Sequence, residues 1–293
     1  MFRITTDTSC DVFKNKLKEN DIPYISLIYS INEIDYEDNF SSDEEYENFY
    51  NEIAKGVMPT TSQINAYRHY KFFKHILKKN PNTPILHLSL SSGLSATYER
   101  ALEGARLAKE KYPDAKIYVL DTLSATQGHN LVLKKAIELN ENNVDIEEAY
   151  NILLEHRLRC HHWIFIDDLM HLKRGGRVSS GAALIGTAFQ IKPLAIVDEK
   201  GKIQVVQKIR GTIKGVSTLV SKIDEYALDK ENLDMVIANA GNTPLCEKIK
   251  EEVLKKYPNA KIEIGWIGPV VGAHTGKGTV GIGFVGVPRN QIK

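Results

Sequence analysis

The sequence predicts an α/β protein of two domains, and three observations lead to that fold class. Its 293 residues exceed the usual size of a single hydrophobic core. In the first half, short apolar runs alternate with amphipathic stretches, which is typical of a mostly parallel sheet covered by helices. The second half contains more short apolar runs and fewer helical stretches. We therefore expect an α/β domain at residues 1–160 and an α+β domain at residues 161–293.

The elements of the first domain follow from the spacing of its apolar residues. Three apolar runs predict strands at residues 25–29, 85–90 and 116–120. Amphipathic stretches predict helices at residues 64–79, 95–111, 124–140 and 146–159. The acidic segment 35–52 is expected to be a surface loop that leads into a helix.

In the second domain, six apolar runs predict a roughly six-stranded mixed or antiparallel sheet. They lie at residues 163–166, 194–197, 203–208, 235–238, 262–267 and 280–285. Three helices are expected among them, at residues 181–190, 213–228 and 244–256. The short turn Glu199-Lys200-Gly201 predicts a hairpin between two of the strands, which favours antiparallel pairing.

The composition is that of an ordinary globular protein, with 42% hydrophobic and 26% charged residues. A net charge of +1 gives no general reason to expect nucleic acid or an anionic membrane as a partner. The three cysteines are far apart, which favours a reducing compartment. The first residues lack the apolar core of a secretory signal, and no stretch approaches the roughly 20 apolar residues that span a bilayer. We therefore expect a cytoplasmic protein without stable membrane insertion.

Two turns of the first domain are rich in hydroxyl groups. Thr61 and Ser62 precede a predicted helix, and Ser91 and Ser92 follow a predicted strand. Such residues commonly cap a helix by accepting hydrogen bonds from its first amides. The same free amides attract anions, and ligands of open α/β sheets bind at the carboxyl ends of strands. The residues alone leave capping and anion binding open.

A glycine-rich segment at residues 268–279 contains His274 and superficially resembles a phosphate-binding loop. Gly272 lies one residue too close to the Gly276-Lys277 pair, and Gly278 stands where serine or threonine is needed. We therefore exclude a nucleotide loop of this type. A single histidine in such a segment is either structural or part of a binding site.

No metal site or catalytic group is predicted. Asp167, Asp168 and His171 suggest a metal site, but adjacent carboxylates are more typical of a helix start. The other clustered histidines, His156, His161 and His162, fit no common metal-ligand spacing. The GxSxG sequence of many serine hydrolases is missing. The sequence therefore predicts neither a cofactor nor a catalytic residue.

Five segments resemble, in order along the whole chain, the motifs of the DegV family. Thr61-Ser62-Gln63 is similar to the family's TSQ, although Ile64-Asn65 replaces the usual Pro-Ser. Residues 91–98, SSGLSATY, are similar to SSGLSGTY, with Ala96 in place of glycine. The other three resemblances are the opening segment 4–11, the central segment 167–177 with Ile191-Lys192-Pro193, and the segment 268–276.

The resemblance implies a protein that catalyses nothing by itself and buries one long-chain fatty acid, such as hexadecanoate, between its two domains. The residues that we expect to meet the carboxylate are Thr61, Ser62, Ser91, Ser92 and His274. For many members the resemblance also implies service as the lipid-carrying subunit of bacterial fatty acid kinase. In that complex a separate ATP-binding subunit phosphorylates the acid for phospholipid synthesis.

The burial of such a ligand requires a long apolar tunnel. A 16-carbon acid has about 14 methylenes, which contribute at most about 11 kcal/mol at roughly 0.8 kcal/mol each. Association costs of about 4–15 kcal/mol offset much of this gain. The small apolar run at residues 182–189 is a candidate for a helix that lines the tunnel, or for an ordinary core helix.

Basic residues are concentrated in the second domain, and they include Arg177 and Arg210. They form either a solvated positive face or a docking surface. Arginine offers planar, multiply donating contacts to carboxylates and phosphates. We predict that Arg177 and Arg210 act in partner docking or phosphoryl transfer.

Two other function classes compete with a kinase subunit. The first is a lipid sensor or transport protein that has no kinase partner. The second is a stand-alone enzyme, either a small-molecule hydrolase or a small-molecule kinase, that uses the same hydroxyl-rich turns. The sequence disfavours the enzyme because it shows no nucleophile–base–acid order and no nucleotide loop.

Overall fold

The computed structural model describes residues 1–178 and 191–292, which form three β-sheets with helices packed around them. The described strands are β1 (Arg3–Asp7), β2 (Tyr24–Ile25), β3 (Ile28–Ile31), β4 (Ile34–Glu37), β5 (Thr60–Ser62), β6 (Ile85–Ser89), β7 (Ile117–Asp121), β8 (Cys160–Phe165), β9 (Ile191–Val197), β10 (Ile203–Arg210), β11 (Asp234–Asn239), β12 (Lys261–Trp266) and β13 (Val280–Val285). The described α-helices are α1 (Lys14–Glu19), α2 (Asp43–Ala54), α3 (Ala66–Lys79), α4 (Thr97–Lys111), α5 (Thr126–Glu141), α6 (Ile146–His156), α7 (Leu169–Gly175), α8 (Thr212–Tyr226), α9 (Thr243–Lys256) and α10 (Pro269–Thr275).

A four-stranded parallel sheet, in the order β2-β1-β6-β7, forms the centre of the N-terminal part. The strand β6 is buried along its whole length because helices cover both faces of the sheet. On one face, α3 and α4 contribute Phe73 and Ala105 to the core. On the other face, α5 and α6 contribute Val132 and Leu153. The predicted α/β class is therefore confirmed.

The segment between residues 25 and 62 differs from the prediction. The expected strand at 25–29 is divided, so that β2 joins the parallel sheet and β3 pairs antiparallel with β4 and β5 in a separate small sheet. The expected loop at 35–52 instead contains most of β4 and most of α2. The turn between β3 and β4 uses Asn32 and Glu33 at φ 51° and 66°. Such turns usually contain glycine, so this hairpin had no clear sequence signal.

The C-terminal part contains a six-stranded mixed sheet in the order β10-β9-β8-β13-β11-β12. All neighbouring strands are antiparallel except β11 and β12, which confirms the predicted mixed sheet. The predicted hairpin is also confirmed, because β9 and β10 pair antiparallel on either side of the turn at residues 198–202. Helices α8 and α9 pack on this sheet through residues such as Leu219 and Ile249.

Helix α5 packs between the parallel sheet and the mixed sheet, and eight consecutive residues at its start are buried. Gly281 and Gly283 of β13 allow this close approach, since a Cβ at either position would come within 2.6 Å of the Gln127 side chain. Gly128 similarly lies against the ring of His162. The two sheets therefore share one helix.

The division into residues 1–160 and 161–293 stays a prediction, although β8, the first strand of the mixed sheet along the chain, begins at Cys160. The predicted helix at 181–190 and the proposed lining segment 182–189 lie outside the described residues. Helix α7 begins after Asp168, whose side chain accepts a hydrogen bond from the His171 amide, so the interpretation of the acidic pair as a helix start is confirmed. The seven-residue helix α10 was not predicted. Among the described residues, no helix combines the length and the apolar composition needed to cross a membrane.

Candidate functional site

A cavity of about 240 Å³ lies between loops of the parallel sheet and elements of the C-terminal part. It is adjacent to the carboxyl end of β6, where open α/β sheets commonly bind ligands. Its lining combines an apolar surface with a group of polar side chains. The lining residues are Leu27, Thr61, Ser62, Gln63, Leu90, Leu94, Ser95, Ala96, Arg177, Ile203, Val270, Val271, His274 and Thr275.

The polar part of the cavity is built around His274. Its Nε2 lies 2.7 Å from Oγ1 of Thr61, and its Nδ1 lies 3.1 Å from the carbonyl oxygen of Gly175. Nη1 of Arg177 donates to the same carbonyl at 2.8 Å. Because a carbonyl oxygen only accepts, Nδ1 of His274 must carry the proton. Nε2 therefore accepts a hydrogen bond from the Thr61 hydroxyl.

His274 is a neutral imidazole at pH 7. Burial, together with the nearby positive charge of Arg177, lowers its pKa from 6.5 to about 4. A neutral imidazole avoids placing an uncompensated charge in a largely apolar cavity. Arg177 therefore supplies the positive charge of the site.

The local sequence explains how these groups meet. Thr61 lies on β5 opposite Tyr29 of β3, so the small sheet fixes its position. His274 lies on α10, and Nε2 of His171 donates to the carbonyl of its neighbour Ala273 at 2.8 Å. A Cβ at Gly175 would lie 3.0 Å from Cα of His274, so glycine permits the close approach of α7 and α10.

The N-terminus of helix α3 follows Thr61 and Ser62 in the sequence, but neither of these residues caps it. The Asn65 side chain accepts a hydrogen bond from the amide of Arg68 at 2.9 Å, and Ile64 is buried. The interpretation of Thr61 and Ser62 as helix caps is therefore wrong. Asn65, which stands where the family usually has serine, provides the cap instead, and Thr61 and Ser62 line the cavity.

The structure brings together Thr61, Ser62 and His274, but it does not bring Ser91 and Ser92 to the cavity with them. Oγ of Ser91 donates to the carbonyl of Gly201 at 2.8 Å, and Oγ of Ser92 donates to a carboxylate oxygen of Asp121 at 2.5 Å. A contact between either hydroxyl and a ligand carboxylate would require the loss of these bonds.

The two arginines that we predicted for partner docking occupy different places. Both are exposed, but Arg177 lines the cavity, whereas Arg210 lies at the end of β10 away from it. Seven residues of strand separate Arg210 from Ile203 of the cavity lining, which corresponds to about 23 Å. Arg177 bonds the same Gly175 carbonyl as His274, and its role in docking or phosphoryl transfer stays a prediction.

Sequence reasoning missed Ser95 and Gln63, which also line the cavity. Both belong to the two hydroxyl-rich motifs, so both motifs reach the cavity, one of them through Ser95 rather than through Ser91 and Ser92. Oγ of Ser95 accepts a hydrogen bond from the amide of Thr97 at 3.2 Å, as expected near a helix start.

The described residues contain no group of three or more His, Cys, Asp or Glu side chains suited to a metal.

Comparisons with known proteins place these observations in a family context. Residues 1–287 match the family model described as "Uncharacterised protein, DegV family". The chain is 36% identical over 285 residues to a DegV domain-containing protein of Clostridium perfringens, which covers 97% of each chain.

Two solved structures also resemble the chain over nearly its whole length. A DegV lipid binding protein from Thermotoga maritima is 28% identical, with a TM-score of 0.85 over 99% of this chain and 100% of that one. DegV from Bacillus subtilis, described as a fatty acid binding protein, is also 28% identical, with a TM-score of 0.82 over 97% and 99% of the two chains.

Proposed function

Since this chain belongs to the DegV family, we propose that it binds one long-chain fatty acid, such as hexadecanoate, in the cavity between its two parts. The observation that carries the proposal is the division of the cavity into an apolar surface and a polar cluster at Thr61, His274 and Arg177. A fatty acid has the same division between chain and carboxylate. The two similar structures from Thermotoga maritima and Bacillus subtilis are described as lipid binding and fatty acid binding.

The polar cluster offers the contacts that a carboxylate needs. The guanidinium of Arg177 provides charge and several donors, and the Thr61 hydroxyl can turn from Nε2 of His274 to the ligand. The hydroxyl of Ser62 lies on the same strand. The apolar side chains of Leu90, Ile203 and others remove the hydrocarbon chain from water, which provides most of the binding energy.

The lipid content of the purified protein tests this proposal. Mass spectrometry of lipids extracted after denaturation should find a C14–C18 fatty acid at about one per chain.

Thr61→Val should weaken binding of added hexadecanoate about 5- to 10-fold, and His274→Ala about 10-fold or more, because each removes a hydrogen-bonding group from the carboxylate site. Ser221→Ala is the control, since its hydroxyl bonds the Thr218 carbonyl within α8. Extracts without fatty acid, together with no binding of added acid, would exclude the function.

We further propose that the bound acid is presented to a separate ATP-dependent kinase subunit in the cytoplasm, where its carboxylate becomes an acyl phosphate. The three buried free cysteines agree with a reducing compartment. Arg177 supports phosphoryl transfer because it lies at the polar end of the cavity, and exposed Arg210 supports docking. In this proposal the chain itself is not the catalyst.

Turnover with a kinase subunit tests the partner proposal separately. Arg210→Ala should lower acyl phosphate formation at subsaturating kinase and leave hexadecanoate affinity unchanged. Arg177→Ala should lower formation at every kinase concentration, because it acts at the head group. Equal turnover by both variants and the unchanged protein would remove both arginines from these roles. No acyl phosphate with the unchanged protein would favour a stand-alone lipid sensor or transport protein.

A further inference from the structure

The turn between β9 and β10 is in direct backbone contact with the loop that follows β6. A Cβ at Gly201 would lie 2.0 Å from Oγ of Ser91. A Cβ at Gly93 would lie 2.6 Å from the carbonyl group of Gly201. The two segments therefore fit together only because both positions are glycine.

Ser91 connects the two walls of the cavity at this contact. Its Oγ donates to the Gly201 carbonyl at 2.8 Å, two residues before Ile203 of the cavity lining. Its own carbonyl accepts the amides of Leu94 at 3.0 Å and Ser95 at 3.2 Å, and both residues line the cavity. One fully buried serine thus determines the position of both walls.

Ile203 and Leu94 also pack together in one apolar cluster, although they come from different parts of the chain. Ile203 forms a bridge with Val178, which follows Arg177 in the sequence. A displacement of the turn would therefore move an apolar wall and would disturb the segment that carries the charge of the site.

Arg289 holds the base of the same turn. Its side chain is 2% exposed, and its Nη1 donates to the carbonyls of Leu123 at 3.0 Å and Val197 at 3.3 Å. Leu123 follows β7 of the parallel sheet, and Val197 ends β9 of the mixed sheet. The strand end that leads into the turn is thereby bound to the parallel sheet. The turn itself packs against Leu123 and Gly93, and Ser91 adds a side-chain hydrogen bond to it.

We propose that Ser91 is a positioning residue that fastens the β9–β10 turn over the cavity and sets the rate at which the lipid leaves, without contacting the carboxylate. The inference rests on the proposed function. It assigns Ser91 a role that differs from a head-group ligand, and the two roles have different consequences. A residue that binds the head group affects the release of an acid more than that of an alcohol. A residue that only holds the turn in place affects the release of both ligands equally.

The release of preloaded hexadecanoate and of hexadecanol into excess phosphatidylcholine vesicles tests the proposal. Ser91→Ala should accelerate release of both ligands about fivefold, because it removes the bond to the Gly201 carbonyl and a second bond from the Gly93 amide. Thr61→Val should accelerate release of the acid alone. Ser221→Ala is the matched control, because it also loses a 2.8 Å bond to a backbone carbonyl but lies on α8. An effect of Ser91→Ala on the acid alone, or no effect, would overturn the proposal.

A second variant tests the contact itself. Gly201→Ala should also accelerate release of both ligands, because the new Cβ collides with Ser91 and glycine φ is +73°. The double variant, with both Ser91→Ala and Gly201→Ala, should release lipid no faster than Gly201→Ala alone. In the single variant Gly201→Ala, the contact with Ser91 is already broken. Additive effects would show that the two residues act separately. If the unchanged protein binds neither ligand, the proposed function fails; if it binds both and Ser91→Ala releases them normally, only this inference fails.

Discussion

The Nδ1 proton of His274 decides which hydrogen bonds the polar end of the cavity can form. The Gly175 carbonyl fixes that proton on Nδ1, which leaves Nε2 as an acceptor. A carboxylate is also an acceptor, so the two cannot share a hydrogen bond unless a proton is added. The Thr61 hydroxyl can donate to only one of them at a time.

Ligand binding should therefore take up a proton. The pKa of His274 is about 4 in the free protein, because burial disfavours the charged form. A carboxylate next to the ring favours the charged form and raises that pKa. Calorimetric titration with hexadecanoate in buffers of different ionisation enthalpy should show greater proton uptake at pH 6 than at pH 8.

The variant His274→Gln is the control for this measurement, because glutamine keeps a polar side chain but does not titrate. Its proton uptake should be close to zero at both pH values. Equal uptake by this variant and the unchanged protein would assign the proton to another group, such as the fatty acid itself.

Among the elements, the short helix α10 has the greatest influence on the site. It carries four lining residues, and its Gly272 lies against Tyr50 of α2. The Tyr50 hydroxyl donates to the carbonyl of Ile267 at 2.6 Å, just before the helix. The position of His274 therefore depends on contacts that α10 makes with the N-terminal part.

Gly272→Ala should displace α10, because the added Cβ would lie 2.4 Å from Oη of Tyr50. We expect a loss of about 1–3 kcal/mol in the free energy of unfolding, as is usual for overpacking. Hexadecanoate affinity should fall as well, since His274 moves with the helix. Gly265→Ala is the control, because the nearest atom to its new Cβ is 4.0 Å away. If Gly272→Ala lowers the stability but leaves the hexadecanoate affinity unchanged, the packing of α10 does not affect ligand binding.

Such elements mark the limit of prediction from the sequence. Long amphipathic helices such as α8 and α9 were predicted to within two residues at each end because their apolar spacing is regular. Helix α10 has only seven residues, contains Gly272 and is flanked by Gly268 and Gly276, and glycine is a poor helix former. Its apolar residues therefore show no helical spacing that would have predicted it. His274 could still be predicted as a site residue, since motif resemblance does not depend on secondary structure, and it lines the cavity. Ser91 was predicted from the resemblance to lie near the carboxylate, whereas its hydroxyl bonds Gly201, 110 positions away, which no local pattern reveals.

At the scale of the whole molecule, neither part of the chain forms the site alone. Thr61 and Leu90 come from the N-terminal part, and Ile203 and His274 come from the C-terminal part. The predicted boundary near residue 160 therefore divides the chain between the two sides of the cavity. A lipid bound in this cavity would contact both parts.

The placement of α5 has a consequence for folding. Because this helix is packed on both sheets, separation of the two parts would expose its buried residues, including Val132 and Gln127, to water. Neither sheet should then retain its structure once the other is lost. Thermal unfolding of the full chain should follow a single calorimetric transition, and a fragment of residues 1–160 should fail to fold alone. Two resolved transitions, or a folded fragment, would mean that the two parts are independent folding units.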